Sequence, residues 1–227
     1  MATRPIFFAT DSAPFSGDRL VDFKWHSGFA ISQKQKSISD LHQAAVSHGL
    51  CKKPLEVSSK SELALGRALS AFNLKAKMGN GSEVSVENMY QSSKVFQEGG
   101  PYRDLLFVSP REAKQDPRLK KSGNIVGFQW RADSPWPPEP KSLFYDWIYL
   151  KTLEQNPGIA EQLQDFDGFT DIEFNPAKSF NCQARACALW LGLKKADLLK
   201  VLGDEVGFKT LFISTLEDQP HDQGDLF

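Results

Sequence analysis

The chain has 227 residues, which is long enough to bury a substantial core in one large domain or two small ones. Its hydrophobic share of 41%, charged share of 24% and formal net charge of −1 are typical of a soluble globular protein and exclude a chain that is basic throughout, although a local basic patch is allowed. Three cysteines without a CxxC pair predict free thiols and no metal site, and no apolar run approaches the ~20 residues of a membrane span, so we expect a cytoplasmic protein.

The first third of the chain places short aromatic strands before capped helices. Strands are predicted at residues 5–9 and 20–31, followed by helices at 32–50 and 58–73. Gly49 is the predicted stop of the first of these helices. The predicted apolar face of the helix at 32–50 consists of Ile38, Leu41, Ala45 and Val46.

The middle and end of the chain are richer in helices. A helix is predicted at 85–96, a strand at 124–130, a long helix at 141–155 and a shorter one at 157–164. Residues 166–202 are predicted to run from a loop into one long helix or two short ones. These elements indicate an α+β fold.

We therefore expect one compact, helix-rich domain with a few short strands. The domain is predicted to cover residues 1–215, because aromatic residues flank the proline-rich crossing and argue against a linker there. Residues 216–227 are polar and acidic, which predicts a frayed C-terminal tail.

The segment SVENMYQSSKVF, residues 85–96, combines a helix start with unusual polar chemistry. Ser85 is a good N-cap, and Glu87 falls in the first turn, where the helix dipole favours a negative charge. Glu87, Gln91 and Lys94 are spaced i, i+4 and i+7, so they share a face. On the residues alone, that face is either a solvated polar surface or part of a binding site.

Two other segments carry more polar side chains than packing requires. SQKQKS, residues 32–37, places two lysines at the start of a helix and suits a phosphate, unless it is simply a solvated basic loop. FTDIEFNPAKSFNCQARA, residues 169–186, holds Asp171 and an exposed-looking Phe180 before an apolar helix. Trp25 is a candidate for a partly open aromatic site.

Taken in chain order, these motifs carry a family resemblance. SVENMYQSSKVF is similar to the S-E-x-x-x-Q-x-x-K-F signature of the NADAR family (NAD- and ADP-ribose-associated). With FKWHSGFAISQKQKSISDLH, FYDWIYLKTLEQNP and FTDIEFNPAKSFNCQARA, the resemblance covers most of residues 4–190. The chain resembles the NADAR branch associated with DarT-type DNA ADP-ribosyltransferase toxins, which implies a NADAR/YbiA-like fold.

The resemblance implies an enzymatic antitoxin without a cofactor. Such antitoxins hydrolyse the N-glycosidic bond between ADP-ribose and the guanine amino group in DNA, so ADP-ribosylated DNA is the implied substrate, ADP-ribose the product and a DarT-type toxin the functional partner. More distant relatives act on riboflavin-pathway intermediates, but their W-P-T-S-E-H lead-in is replaced here by EVSVEN. The alternatives are an N-glycosidase for a small nucleotide-like substrate, or a non-catalytic module that binds ADP-ribose or sequesters the toxin.

Family motif positions fall on Glu87, Gln91, Lys94 and Asp171, and the other candidate residues come from the remaining polar and aromatic segments. The predicted catalytic residues are Glu87, Lys36 and Asp171; Glu87 would stabilise positive charge at the anomeric carbon or exchange a proton there. Lys34 or Lys36 would either attack an opened ribose aldehyde as a Schiff-base nucleophile or bind the pyrophosphate. The predicted ligand-binding residues are Arg4, Trp25, Lys34, Gln91, Lys94, Lys178, Phe180 and Asn181.

Overall fold

The computed structural model of the protein describes residues 1–177 and 179–217. Lys178 lies outside the described residues, and so does its predicted ligand contact. Residues 218–227, which make up most of the predicted tail, lie outside them as well.

Short strands and helices alternate through the described part of the chain, giving a mixed α/β fold that is compatible with the predicted α+β class. The strands are β1 (Ala2–Ala9), β2 (Ser16–Phe23), β3 (Pro54–Glu56), β4 (Lys75–Lys77), β5 (Glu83–Ser85), β6 (Lys94–Phe96), β7 (Ile125–Arg131), β8 (Ser134–Trp136) and β9 (Gly168–Thr170). The helices are α1 (Ile31–Ser47), α2 (Ala64–Ala68), α3 (Val86–Ser93), α4 (Pro110–Gln115), α5 (Arg118–Lys121), α6 (Leu143–Glu154), α7 (Pro157–Ala160), α8 (Gln183–Lys195) and α9 (Glu205–Glu217). Short 3-10 helices span Arg103–Leu106, Glu161–Asp165 and Leu199–Gly203.

The main sheet brings distant parts of the chain together. Its strand order is β2-β1-β9-β3, with β1 antiparallel to β2 and to β9. The strands β3 and β9 are parallel, and Glu56 lies opposite Thr170. Neither of these three-residue strands is predicted from the sequence, yet their pairing fixes the loop that follows Thr170.

The core lies around helices that are buried on nearly every side. Most residues of α6 and α8 are buried, and aromatic rings tie α6 to the small β6-β7-β8 sheet. Phe144 stacks on Phe128 with ring centroids 4.9 Å apart, and Trp136 lies 4.8 Å from Trp147. Every residue of α3 is buried, and α3 packs against α4 and α6. The start of α3 is therefore part of the protein interior.

Several predicted elements are confirmed with shifted ends. The strand at 5–9 is β1, the strand at 124–130 is β7, and the helices at 32–50 and 141–155 are α1 and α6. Gly49 follows the end of α1 with φ +68°, the left-handed conformation expected of a glycine stop.

The predicted strand at 20–31 is too long. The strand β2 ends at Phe23, and the chain turns so that the His26 N–H donates to Ser37 Oγ at 2.9 Å. This bond anchors the connection on α1. Val46, which was placed on the apolar face of that helix, is 44% exposed, whereas Ile38, Leu41 and Ala45 are buried.

The helix predicted at 58–73 is also wrong in its extent. Only Ala64–Ala68 is helical. The backbone N–H of Lys60 donates to Ser58 Oγ at 3.1 Å, and the N–H of Ser61 donates to the Ser58 carbonyl at 3.1 Å. Such serine turns compete with helix formation, because they use the backbone groups that a helix would need.

The third predicted helix, at 85–96, ends three residues early. Ser93 Oγ donates to the Met89 carbonyl at 2.7 Å, and the chain then becomes extended. Lys94 opens β6 and lies opposite Phe128 of β7. Strand pairing with β7 therefore replaces the last turn of the predicted helix.

Candidate active site

A cavity of about 490 Å³ opens beside the N-terminus of α3. Segments 58–60, 70–72 and 171–174, together with 179–181, form its other walls. Its charged lining residues are Glu87, Asp171, Glu173, Lys60, Lys94 and Lys114. The volume is in the range of small-molecule sites. The mixture of three carboxyl groups with three lysines favours a polar, partly anionic ligand.

Local backbone contacts bring Glu87 to this cavity. The Asn88 N–H donates to Ser85 Oγ at 3.1 Å, which confirms Ser85 as the N-cap of α3. The Glu87 N–H donates to the Ala71 carbonyl at 2.9 Å and ties the first turn to the neighbouring loop. The interpretation as a solvated polar face is wrong, because Glu87 and Gln91 are only 5% and 6% exposed.

Two groups orient the Glu87 carboxylate. Gln91, one turn further along α3, donates from Nε2 to Glu87 Oε1 at 2.8 Å. Lys114 Nζ lies 3.9 Å from Glu87 Oε2 and is itself more than half exposed. The carboxylate is thus held from inside the protein by an amide and faced at the cavity mouth by a cation.

Lys94 lines the same cavity, and its side-chain amine is largely buried. Burial lowers its pKa to about 8, and the charge of Glu87 opposes that effect. Its Nζ lies 4.6 Å from the ring centroid of Tyr90, which also lines the cavity. Near neutral pH a measurable fraction of Lys94 is therefore a neutral amine.

Asp171 supplies a second buried carboxyl group. It follows β9 directly and is 8% exposed. Burial raises its pKa, with the charge of Glu173 adding to that effect, while hydrogen bonds from the backbone and the charge of Lys114 oppose it. The Glu173 N–H donates to Asp171 Oδ1 at 3.0 Å. A buried carboxyl group with a raised pKa keeps its proton to higher pH than an exposed one, which suits it to act as a general acid.

Aromatic rings line the rest of the cavity. Tyr90 and Tyr145 meet edge to face with centroids 5.3 Å apart. Burial raises the pKa of Tyr90 to about 12, while a hydrogen bond from Asn181 acts in the opposite direction. Phe180 is 58% exposed, and Lys141 Nζ lies 4.0 Å from its ring centroid. Phe180 therefore presents an exposed aromatic ring at the wall of the cavity.

Two buried oxygens on the cavity walls have no hydrogen-bond partner within residues 1–177 and 179–217. They are Gln91 Oε1 and Asn181 Oδ1. An unpaired buried acceptor is unfavourable, so such atoms mark positions where a ligand donor fits. Hydroxyl groups of a ribose are donors of this kind.

Three other predicted residues form a separate cluster beside the cavity. Arg4 and Lys34 both lie over the Trp25 ring, at 5.5 and 4.7 Å from its centroid. Lys34 Nζ is 3.4 Å from Glu173 Oε1, and Glu173 lines the cavity. The cluster of Arg4, Trp25 and Lys34 therefore adjoins the cavity through Glu173 but is not among its lining residues.

Lys36 does not share this location. It is exposed on α1, two positions beyond Lys34, and a two-residue step turns a helix by about 200°. Lys36 is thus on the opposite side of α1 from Lys34 and is absent from the cavity lining. Its catalytic role stays a prediction.

Sequence reasoning missed two lysines of the site. Lys60 follows the serine turn at Ser58, and Lys114 belongs to α4. The sequence pattern does indicate the start of α4, because Ser109 and Glu112 have the spacing of a capping box, which the structure forms. That signal predicts the helix, although not its packing against α3.

Three further observations concern metal binding, membrane insertion and the cysteines. Within the described part of the chain, no group of three or more His, Cys, Asp or Glu side chains is arranged to hold a metal ion. Among the same residues, no helix combines the length and the apolar character required to cross a membrane. Cys51, Cys182 and Cys187 are buried free thiols, as predicted.

Comparison with known proteins agrees with the resemblance seen in the motifs. A protein-family model described as DarT1-associated NADAR antitoxin matches residues 2–222, nearly the whole chain. A comparison with curated proteins gives no match. Because this match spans nearly the whole chain, the chain belongs to the NADAR-DarT1 family, the DarT1-associated NADAR antitoxins.

Proposed function

We propose that this antitoxin hydrolyses the N-glycosidic bond that joins ADP-ribose to the guanine amino group in DNA. The observation that carries the proposal is the presence of two buried carboxyl groups, Glu87 and Asp171, on the walls of one cavity. Paired carboxyl groups are the usual means of cleaving a glycosidic bond, since one exchanges protons with the leaving group and the other acts on water or the sugar.

The proposed reaction is a balanced hydrolysis. Glu87 takes a proton from water as the water oxygen bonds to the anomeric carbon, and its charge stabilises the developing oxocarbenium ion. The bond to the guanine nitrogen breaks, and Asp171 gives that nitrogen a proton. Exchange of protons through water restores both groups, and the products are ADP-ribose and the unmodified guanine amino group.

The lysines supply the binding of phosphate in this proposal. Lys60, Lys94 and Lys114 share the cavity with the carboxyl groups and provide positive charge for the diphosphate. Asn181 and Gln91 offer acceptors to the ribose hydroxyls, and Phe180 a face for a base. Outside the cavity, we assign the DNA backbone to the N-terminal turn of α1, which carries Lys34, with Arg4 and Trp25 beside it.

A lysine mechanism is the alternative chemistry for the same substrate. The N-linked ribose would open to an imine with the guanine nitrogen, a lysine amine would add to its C1 and expel the guanine amine, and water would hydrolyse the resulting lysine imine to release ADP-ribose. The lowered pKa of Lys94 favours it over the exposed Lys36 for such a role. Borohydride added during turnover separates the mechanisms, because it reduces an imine to a stable adduct whose mass maps to one lysine.

The test of the function uses two oligonucleotides, one ADP-ribosylated on guanine and one on thymine, with release of ADP-ribose measured by mass spectrometry. We expect release from the guanine adduct and a loss of at least about 100-fold in Glu87→Gln, the range for a general acid or base. The matched control is Glu83→Gln, an exposed glutamate in β5. Retained ADP-ribose binding without release from the wild-type protein would instead establish a binding module, and equal cleavage of an ADP-ribosylated guanine nucleotide would establish a small-substrate glycosidase.

A further inference from the structure

The side-chain amide of Gln91 has a fixed orientation in the cavity. Its Nε2 donates to Glu87 Oε1 at 2.8 Å, and because an ionised carboxylate only accepts hydrogen bonds, the amide nitrogen must face Glu87. The amide oxygen is the group that remains for a ligand. Gln91 is 6% exposed, and its Oε1 is buried with no hydrogen-bond partner among the residues that the structure describes. A buried acceptor in this state favours a ligand that brings a donor to it.

A second unpaired acceptor lies on another wall of the cavity. Asn181 belongs to the loop that leads into α8, and its Oδ1 is buried without a partner in residues 1–177 and 179–217. The nitrogen of this amide is occupied, because Asn181 donates a hydrogen bond to the Tyr90 side chain. Both amides thus direct their nitrogen to a side chain of α3 and leave their oxygen unpaired. A ligand that satisfies both oxygens must carry two donors.

The position of Gln91 Oε1 indicates which ligand group it meets. The oxygen and nitrogen of one amide are about 2.3 Å apart, so Gln91 Oε1 lies within about 5 Å of Glu87 Oε1. In the proposed reaction, Glu87 acts at the anomeric carbon of the ribose, C1″. The hydroxyl on the adjacent carbon, C2″, is the donor of the sugar closest to that point. The remaining free hydroxyl of the ring, on C3″, is then the donor for Asn181.

An ADP-ribosylated guanine nucleotide in DNA carries two N-glycosidic bonds to one base. The first joins the exocyclic nitrogen to ribose, and the second joins N9 to the deoxyribose of the strand. The ribose keeps free hydroxyls on C2″ and C3″, whereas deoxyribose within a strand has only hydrogen on C2′ and phosphate esters on its other two oxygens. The sugar of the DNA therefore has no donor for either amide oxygen.

We propose that Gln91 and Asn181 make the cavity specific for ribose, so that the protein cleaves the bond to ADP-ribose and leaves the bond between guanine and the DNA sugar intact. Gln91 Oε1 accepts the 2″-hydroxyl in this arrangement, and Asn181 Oδ1 accepts the 3″-hydroxyl. Deoxyribose in the same position leaves two buried oxygens unpaired, and a site built to bind a hydroxyl rejects an analogue that lacks it. The identity of the cleaved bond rests on the proposed function, whereas the contact with ribose requires no catalysis.

The test compares the binding of ADP-ribose and 2″-deoxy-ADP-ribose by calorimetry. We expect the wild-type protein to bind the deoxy ligand about 5- to 150-fold more weakly, which is the range for a buried acceptor that loses its donor. Gln91→Met removes the acceptor at similar side-chain length and should bind the two ligands equally. This substitution also removes the hydrogen bond to Glu87, but that loss affects both ligands, and the ratio of affinities isolates the contact with the hydroxyl.

Two further variants make the result specific. Gln43→Met changes an exposed glutamine of α1 that does not line the cavity, and it should keep the wild-type ratio. Asn181→Leu should bind ADP-ribose and 3″-deoxy-ADP-ribose equally, while the wild-type protein prefers ADP-ribose. Equal binding of ADP-ribose and the 2″-deoxy ligand by the wild-type protein would overturn the proposal, and so would an unchanged ratio in a folded Gln91→Met protein.

The reaction products test the selectivity between the two bonds. Mass spectrometry of the oligonucleotide that carried the guanine adduct should show the unmodified strand, and an abasic strand would contradict the inference. If the wild-type protein releases no ADP-ribose but prefers it to the 2″-deoxy ligand, the proposed hydrolysis fails while the specificity for ribose stands. If the protein releases ADP-ribose and binds both ligands equally, the inference fails while the proposed function stands.

Discussion

Replacing Lys94 with methionine should make the protein more stable and less active. Burial lowers the pKa of Lys94 from 10.5 to about 8, a difference equivalent to at most about 3 kcal/mol against the charged form. Because some solvent reaches this side chain, we expect a gain of about 2 kcal/mol in the free energy of unfolding at pH 7. Methionine retains the length of the chain and removes the charge that folding disfavours.

The gain should depend on pH in a defined direction. The native state releases the Lys94 proton near pH 8 and the unfolded state near 10.5, so the wild-type protein becomes more stable, relative to Lys94→Met, as pH rises through that window. Urea unfolding at pH 7 and at pH 10 measures the difference at both ends. Lys195→Met, a substitution at an exposed lysine, is the control and should change stability by less than about 0.5 kcal/mol.

Two outcomes would refute this reasoning. A Lys94→Met protein that is less stable than the wild type at pH 7 would show that the contact of the ammonium group with the Tyr90 ring and its attraction to the charge of Glu87 outweigh the cost of its burial. A gain of equal size at pH 7 and pH 10 would show that methionine acts through packing and not through charge.

Three more substitutions examine separate parts of the site. Ser85→Ala removes the N-cap of α3 and should lower the free energy of unfolding, measured by urea denaturation, by about 1 kcal/mol. The Glu87 side chain in the same turn should then be less well fixed, so kcat should fall as well. Phe180→Ala should weaken binding of ADP-ribose by about 5- to 150-fold in calorimetry without a change in Tm, because its ring is exposed and base stacking contributes about 1–3 kcal/mol. Arg185→Met leaves the buried Asp146 carboxylate without its ion-pair partner and should destabilise the fold by about 3 kcal/mol in the same urea assay.

The sequence predicts the parts of the site that depend on local signals. The N-cap at Ser85 and the spacing of Glu87 and Gln91 place both side chains on one helical face, and the structure confirms the cap and the contact between them. Lys94 also lines the cavity, but from β6, because α3 ends at Ser93. Side chains four residues apart on a helix meet for local reasons, and that is why this part is predictable.

The remainder of the site depends on pairing between distant segments. The strands β3 and β9 are three residues each, too short for a periodic pattern, and 114 positions separate Glu56 from Thr170. Nothing near Glu56 in the sequence indicates that its carboxylate will accept hydrogen bonds from Thr170 and Ile172, the two neighbours of Asp171. A charged residue inside the apolar run PLEV was the one available sign, and it gains meaning only when β9 is known to lie beside it.

Because α3 is buried on all sides, the walls of the cavity differ in how readily their residues can be substituted. The wall that carries Glu87 belongs to the hydrophobic core, so a substitution there disturbs folding and chemistry together. The opposite wall, at residues 179–181, is formed by a loop with an exposed aromatic ring. A change in the loop can therefore alter what the cavity recognises at little cost to folding, whereas a change at Glu87 is opposed by the stability of the whole domain.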